Sequence, residues 1–473
     1  MLISTLSALS NSASTSGLIT KDAFNIVGKT AIEYKETGKK DKNLAKHAAS
    51  ERLREEVGTS LIWLGGLPFV KKIYDKIVIQ KIAKLNSEID YDLLTAKGVQ
   101  SLENNKVRLE KLASKDAKDM AKTLGNVIEH KQLYKNLAWG RIVASTVLVL
   151  GALLAFPKAN YAYTKKNMEK EAAAKKLNSD VRTESSSVLG KSPAFAAFID
   201  KTKKGLSFTG GSLMHWLANP VNNTMVLDGG ISTGRMGASA TRSKAEFVET
   251  TAKEGLFVYF CYQAGKHIRN ALATGFKAIG TPVSLPFEVL SNKEMVGKLN
   301  SINHPPKIQE NLAEYLKLSK IKIKSQQDTD AMAKLEEIII NGIDGHIAKG
   351  AKDKALSFVE VAQKAKLIDI TSGFRNPYKK VDIKELALLS QSVEHFTSAA
   401  SKSGKSLENL AKTALKGKGF SVVADIAICS AALGYVIPKI GVAIRKAMTG
   451  STVSPGVNQY NDQICLQKEQ QKA

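Results

Sequence analysis

Residues 137–156 read LAWGRIVASTVLVLGALLAF, and this run decides what kind of molecule the chain encodes. After Arg141 it holds nothing more polar than Ser145 and Thr146. A helix rises about 1.5 Å per residue, so roughly twenty such residues cross the ~30 Å hydrocarbon layer of a bilayer. Trp139 precedes the apolar core, and Pro157, Lys158, Tyr161 and Tyr163 follow it, the flanks expected at a membrane interface. A helix apolar on every side also occurs inside large soluble proteins. Length and flanks favour the membrane.

A second long apolar segment, residues 420–437, reads FSVVADIAICSAALGYVI and carries one charge, Asp425. Pro438 and Lys439 follow, and IGVAI prolongs it to Arg445 and Lys446. The expected fold is therefore all-α, with transmembrane helices at 137–156 and 418–444 and charged amphipathic helical domains outside the bilayer. Around these spans the chain divides into a lead-in with helices (1–57), a short apolar stretch (58–70), and a charged helical region (71–136). After the first span come a charged helix with a Ser-rich linker (157–192), a Gly- and aromatic-rich block (193–300) that includes the short apolar stretch 255–262, and an amphipathic helical domain (301–417). A disordered tail (445–473) closes it. The stretch TSLIWLGGLPFV at 59–70 is too short to span, and Gly65, Gly66 and Pro68 are expected to break it. It reads either as a re-entrant wedge with Trp63 at headgroup depth or as a turn in a core.

The formal net charge is +25, which suggests anionic partners: nucleic acid or lipid headgroups. Of 69 basic residues only ten are arginine, and the lysines are spread rather than blocked. Base readout favours arginine's planar fork, so nucleic acid is the weaker reading and an anionic membrane surface the better one. Three cysteines and seven histidines form no CxxC, HExxH or i,i+4 pair. No metal, cofactor or catalytic residue is expected.

The nearest approach to a catalytic motif is DGGISTGRM at 228–236. Its glycines have the spacing of a phosphate loop, but Arg235 and Met236 stand where Lys and Ser/Thr are needed. A flexible glycine loop is the expectation, with Arg235, Arg242 and Lys244 as candidates for lipid phosphate. Asp425 and Arg141 are the ionisable residues inside the apparent spans, and such residues are functional candidates by default. Small residues that let helices approach in lipid recur along one face of each span: Gly140, Ala144, Gly151 and Ala155 in the first, Ala424, Ala427, Ala431 and Gly434 in the second. An antiparallel pair would set Ala144 beside Gly434 and Gly151 beside Ala427.

These readings point to a membrane-anchored structural or interaction protein without catalysis, both termini cytoplasmic, meeting the bilayer and a protein partner through its charged helices. Two alternatives have their own residues: a soluble basic helical protein packing in an assembly, and a small transporter or pore whose path involves Asp425.

Overall fold

The computed structural model describes residues 15–85, 91–112, 114–177, 220–302, 308–321, 324–349, 356–370 and 379–470, with a few isolated positions besides. It is 87% helical, where about a third is usual, so the chain is all-α. The longer helices are α1 (Thr15–Gly38), α2 (Lys42–Tyr74), α3 (Leu102–Glu110), α4 (Lys115–Glu129), α5 (Lys131–Leu177), α6 (Pro220–Ala240), α7 (Lys244–Tyr259) and α8 (Gly265–Ala278). After them come α9 (Ile308–Ser319), α10 (Gln326–Lys349), α11 (Phe358–Lys364), α12 (Ile383–Ser403), α13 (Leu407–Ala431), α14 (Ile437–Thr449) and α15 (Pro455–Gln470). Strands β1 (Ile368–Ile370) and β2 (Lys379–Val381) form one antiparallel pair, with Ile368 opposite Val381. Two stretches, Lys131–Ala174 and Leu407–Thr449, are long and apolar enough to cross a membrane.

The chain forms two compact units. The first comprises Met1–Lys21, Lys72–Arg141 and Phe260–Cys429; the second comprises Asp22–Lys71, Ile142–Tyr259 and Ser430–Ala473. The first has an ordinary apolar core in which Leu312, Ile339, Ile340, Phe358, Val361, Leu386, Phe396 and Leu410 meet. Its helices start on polar caps: Ser357 with Glu360 makes a capping box on α11, Asp382 accepts from the Glu385 amide, and Ser406 from that of Asn409. Such caps satisfy backbone donors that the first helical turn leaves unpaired.

The second unit is built the other way out. On α1 the buried positions include Asn25, Lys29, Glu33, Glu36 and Thr37 beside the apolar Ile32, while Phe24, Val27 and Tyr34 are exposed, Val27 at 68%. On α7 Glu246, Glu249, Lys253 and Glu254 are buried, while Phe247, Val248 and Tyr259 are exposed. The buried stripe of α6 and the turn after it is Asp228, Ser232, Arg235, Ser239 and Arg242, one helical face by its three- and four-residue steps. α5 is mixed: Ser145, Thr146, Asn160 and Thr164 face inward beside the apolar Ile142, Val149, Leu153 and Tyr161, while Val147 and Leu148 face out.

Four sequence expectations differ from the structure. α2 runs through Pro68 without ending. A proline removes one backbone bond and kinks a helix, and here Gly58 and Gly66 hold the preceding turns close against Phe156 and Val149. α5 likewise continues past Pro157. Residues 228–236, expected as a flexible glycine loop, lie inside α6, where Gly230 and Gly234 serve contact: a Cβ on Gly234 would come 2.9 Å from the Leu153 carbonyl oxygen. The tail is helical from Pro455 to Gln470, because Val453, Val457, Tyr460 and Ile464 pack on Leu44, Ala48 and Met168. The Ser-rich linker at 179–192 and the apolar FAAFI at 195–199 lie outside the described residues.

Candidate functional site

The interior of the second unit holds three ion clusters, each assembled from helices distant in sequence. In the first, the Arg235 guanidinium on α6 donates from Nη1 to Glu254 Oε1 at 3.0 Å and from Nη2 to Glu56 Oε2 at 2.9 Å. Its Nε lies 3.0 Å from Glu55 Oε1. Lys29 of α1 reaches Glu56 Oε1 at 3.1 Å, and Arg52 lies 3.6 and 3.7 Å from Glu55 and Glu56. Three cations thus meet three carboxylates. Burial alone would raise Glu56; Arg235, Lys29 and Arg52 outweigh it and hold its carboxyl well below the usual range.

The second cluster centres on Arg445 of α14. It binds Glu33 through Nη1 and Nη2 at 2.8 and 2.9 Å, and Glu249 through Nε and Nη2 at 2.8 and 2.7 Å. Only a planar guanidinium can hold two carboxylates in this double fork. Lys253 joins Glu249 at 2.7 Å, so two cations face two acids. Burial opposes ionisation of Glu249, but Lys253 and Arg445 draw its pKa down to about 2.

The third cluster is not balanced. Arg242 Nη1 donates to Glu51 Oε1 at 2.7 Å and lies 3.3 Å from Glu246 Oε1. Its guanidinium stacks 3.9 Å from the Tyr161 ring centroid and 5.0 Å from that of Tyr460. Gly456 of α15 touches its far side, where a Cβ would come within 1.9 Å of Nε, Cζ and Nη2. One cation here serves two carboxylates. Burial pushes Glu51 up and Glu246 up to about 7, Arg242 restraining both, with Glu51 and Glu249 adding to the rise at Glu246.

Arg235 and Arg242, the candidates for lipid phosphate, are thus placed against carboxylates and buried, whereas Lys244 is exposed. In the first unit Asp425 is fully buried; Arg269 donates to its Oδ2 from Nε at 2.7 Å and Nη2 at 2.5 Å, and Lys21 Nζ stands 4.0 Å from Oδ1. Arg141 lies 3.5 Å from Asp75. The small-residue stripes are not the packed faces expected. Nothing lies within 4 Å of a Cβ built on Gly151, and Ala155, Ala427 and Ala431 are exposed, with Ala144 and Ala424 half-buried. The buried face of α5 instead runs through Ile142, Val149, Leu153 and Tyr161. Gly140 meets the Tyr74 hydroxyl, and Gly434 meets Phe24 and Gly28 of α1 rather than Ala144.

Among the described residues no three His, Cys, Asp or Glu side chains converge as a metal site. What the clusters do is lock helices together, and at Arg242 one cation is shared by two carboxylates. No family model, curated protein or solved structure matches the chain.

Proposed function

We propose that the protein is a membrane-anchored helical scaffold that acts through binding and positioning rather than catalysis, with helices α5 and α13–α14 crossing the bilayer. The observation that carries this reading is the exposed apolar surface of the two long apolar helices, with polar side chains buried behind it. In a water-soluble bundle the exposed face of a helix is polar. Between the exposed lysines Lys416 and Lys446, α13–α14 expose Phe420, Val423, Ile428, Tyr435, Val436 and Ile440, while Ser421, Asp425, Ser430 and Arg445 are buried beside Val422, Cys429, Leu433 and Ile437. Lipid is the solvent for which such a surface is the low-energy one, because it demands that polar groups be satisfied inside the protein. The acids and bases of the interior are mostly committed to one another, which supports a structural rather than a catalytic role. Two crossings return the chain to its starting side, and we take that side as the cytoplasm.

Alkaline carbonate washing of membranes, followed by detergent extraction, tests the anchoring: the full chain stays in the pellet and dissolves only in detergent. A spin label at Leu148→Cys in a chain lacking Cys261, Cys429 and Cys465 should relax with lipid-dissolved oxygen and ignore a water-soluble nickel chelate. Release by carbonate, or nickel access at position 148, would overturn the reading in favour of a soluble protein whose apolar faces meet another copy. Protection of both termini in intact cells, and their digestion in inverted vesicles, would fix the sidedness.

A further inference from the structure

We propose that Glu51 and Glu246 form a dyad that binds one proton, held by Arg242. The inference rests on charge and geometry inside the second unit; only the placement of the dyad outside the hydrocarbon rests on the membrane reading. Two of the three buried clusters pair cations and carboxylates one for one, whereas Arg242 alone faces both Glu51 and Glu246 through the same Nη1. Two like charges sharing a buried site cannot both ionise freely, so the pair keeps a proton that isolated carboxylates would lose. The neighbouring groups do not make up the missing charge. On α2, Arg52 draws the Glu246 carboxyl down but is itself turned to Glu55 and Glu56, Glu55 pushes Glu51 up, and Arg54 donates to Asn160 Oδ1 and Thr164 Oγ1 at 3.0 and 2.7 Å. On α7, Glu249 is committed to Arg445 and Lys253. From α5 and α15 come only the phenols Tyr161 and Tyr460 against Arg242, with Lys165 Nζ 6.0 Å from the Tyr460 ring. Glu246 Oε2 is buried with no hydrogen-bond partner among the described residues, an oxygen placed to carry the proton.

The site has a door of known residues. Tyr161 lies five positions beyond Phe156, about 7–8 Å past the apolar run along the helix, so the dyad sits beyond the hydrocarbon rather than in it. α15 closes over it through Gly456 and Tyr460. The ligand is the proton, exchanged with the aqueous phase on that side.

The full chain in detergent micelles, titrated in heavy water and followed by infrared difference spectroscopy, tests the proposal. A carbonyl stretch of a buried carboxylic acid should appear as pH falls through about 7, and Glu246→Gln and Glu51→Gln should each abolish that transition. Each substitution removes the excess charge, so each should also raise the melting temperature at pH 8. The proposal fails if no carboxyl titrates between pH 5 and 9, if the band survives both substitutions, or if both variants unfold. A transition that moves with sodium concentration at fixed ionic strength would replace the proton by a metal cation.

Discussion

Gly28 of α1 and Gly434 of the π-helical segment Ala432–Val436 meet backbone to backbone: a Cβ on Gly28 would lie 1.9 Å from the Gly434 carbonyl oxygen. Nothing at that contact can rotate out of the way, because the neighbour is main chain. Gly28→Ala should therefore cost about 2–3 kcal/mol, the range of core overpacking. Gly151→Ala and Gly229→Ala, whose new methyl groups enter open space in mid-helix, should be neutral or stabilise by up to ~1 kcal/mol. Chemical unfolding in detergent separates the two classes; equal effects would refute the contact.

Arg445 is the residue whose loss should hurt most. Arg445→Met leaves Glu33 and Glu249 buried against each other with only Lys253 between them, and should cost about 3–5 kcal/mol. Arg445→Lys should recover less than half of that, since an ammonium cannot reproduce the double fork. Full rescue by lysine in a melting assay would show that charge alone matters there.

Stability should depend on pH through Glu246. Its pKa is raised in the fold to about 7 from 4.5, so the folded state binds the proton more tightly than the unfolded chain. Its stabilising proton is fully held below pH 4.5 and lost as pH rises through 7, a fall of about 3 kcal/mol. Glu249, lowered to about 2, acts oppositely, and its contribution disappears only as pH falls from 4.5 through 2. Melting temperature should decline between pH 5 and 8 in the wild type and stay flat over that window in Glu246→Gln.

Asp425→Asn should be more harmful than Asp425→Asn combined with Arg269→Gln. The single change strands the Arg269 guanidinium, which reaches Asp425 at 2.5 Å and is only 19% exposed. A double-mutant cycle should return a coupling of about 1–3 kcal/mol. Additive losses would mean that the pair is incidental.

Gly456→Ala should displace either α15 or Arg242, since a Cβ there would strike Nε, Cζ and Nη2 of a guanidinium whose Nη1 is held by Glu51. The measurable sign is faster hydrogen exchange in residues 455–470, with helices of the first unit unchanged.

The two long spans were legible because an apolar run reports itself whatever surrounds it. The caps at Asp382 and Ser406 are local chemistry of the same kind, each reaching an amide three residues on. The ion clusters were not legible. Glu246, Glu249, Lys253 and Glu254 recur at helical spacing, and such a stripe ordinarily faces water. Glu246 and Lys253 have partners four positions away, but what turns the stripe inward also includes Arg235, 19 positions from Glu254, and Arg445, 196 positions from Glu249, which no local window contains. Glycine misled in the same way: Gly230 and Gly234 look like a loop in sequence, yet they are small because Leu150 and Leu153 press on α6. The glutamine-rich tail hid a four-residue apolar seam, Val453, Val457, Tyr460 and Ile464, in a polar background.

The span between Glu33 and Arg445 also sets a schedule for biosynthesis. A ribosome adds about 5–20 residues per second, so the 412 positions separating them take about 20–80 s to translate. Throughout that interval Glu33 has been made and its counter-ion has not, while the apolar face beside it, Phe24 and Val27, is already seeking cover. The Arg445 cluster therefore closes as one of the last events of assembly, after α14 emerges, whereas the Arg235 cluster, whose last member is Glu254, can lock earlier.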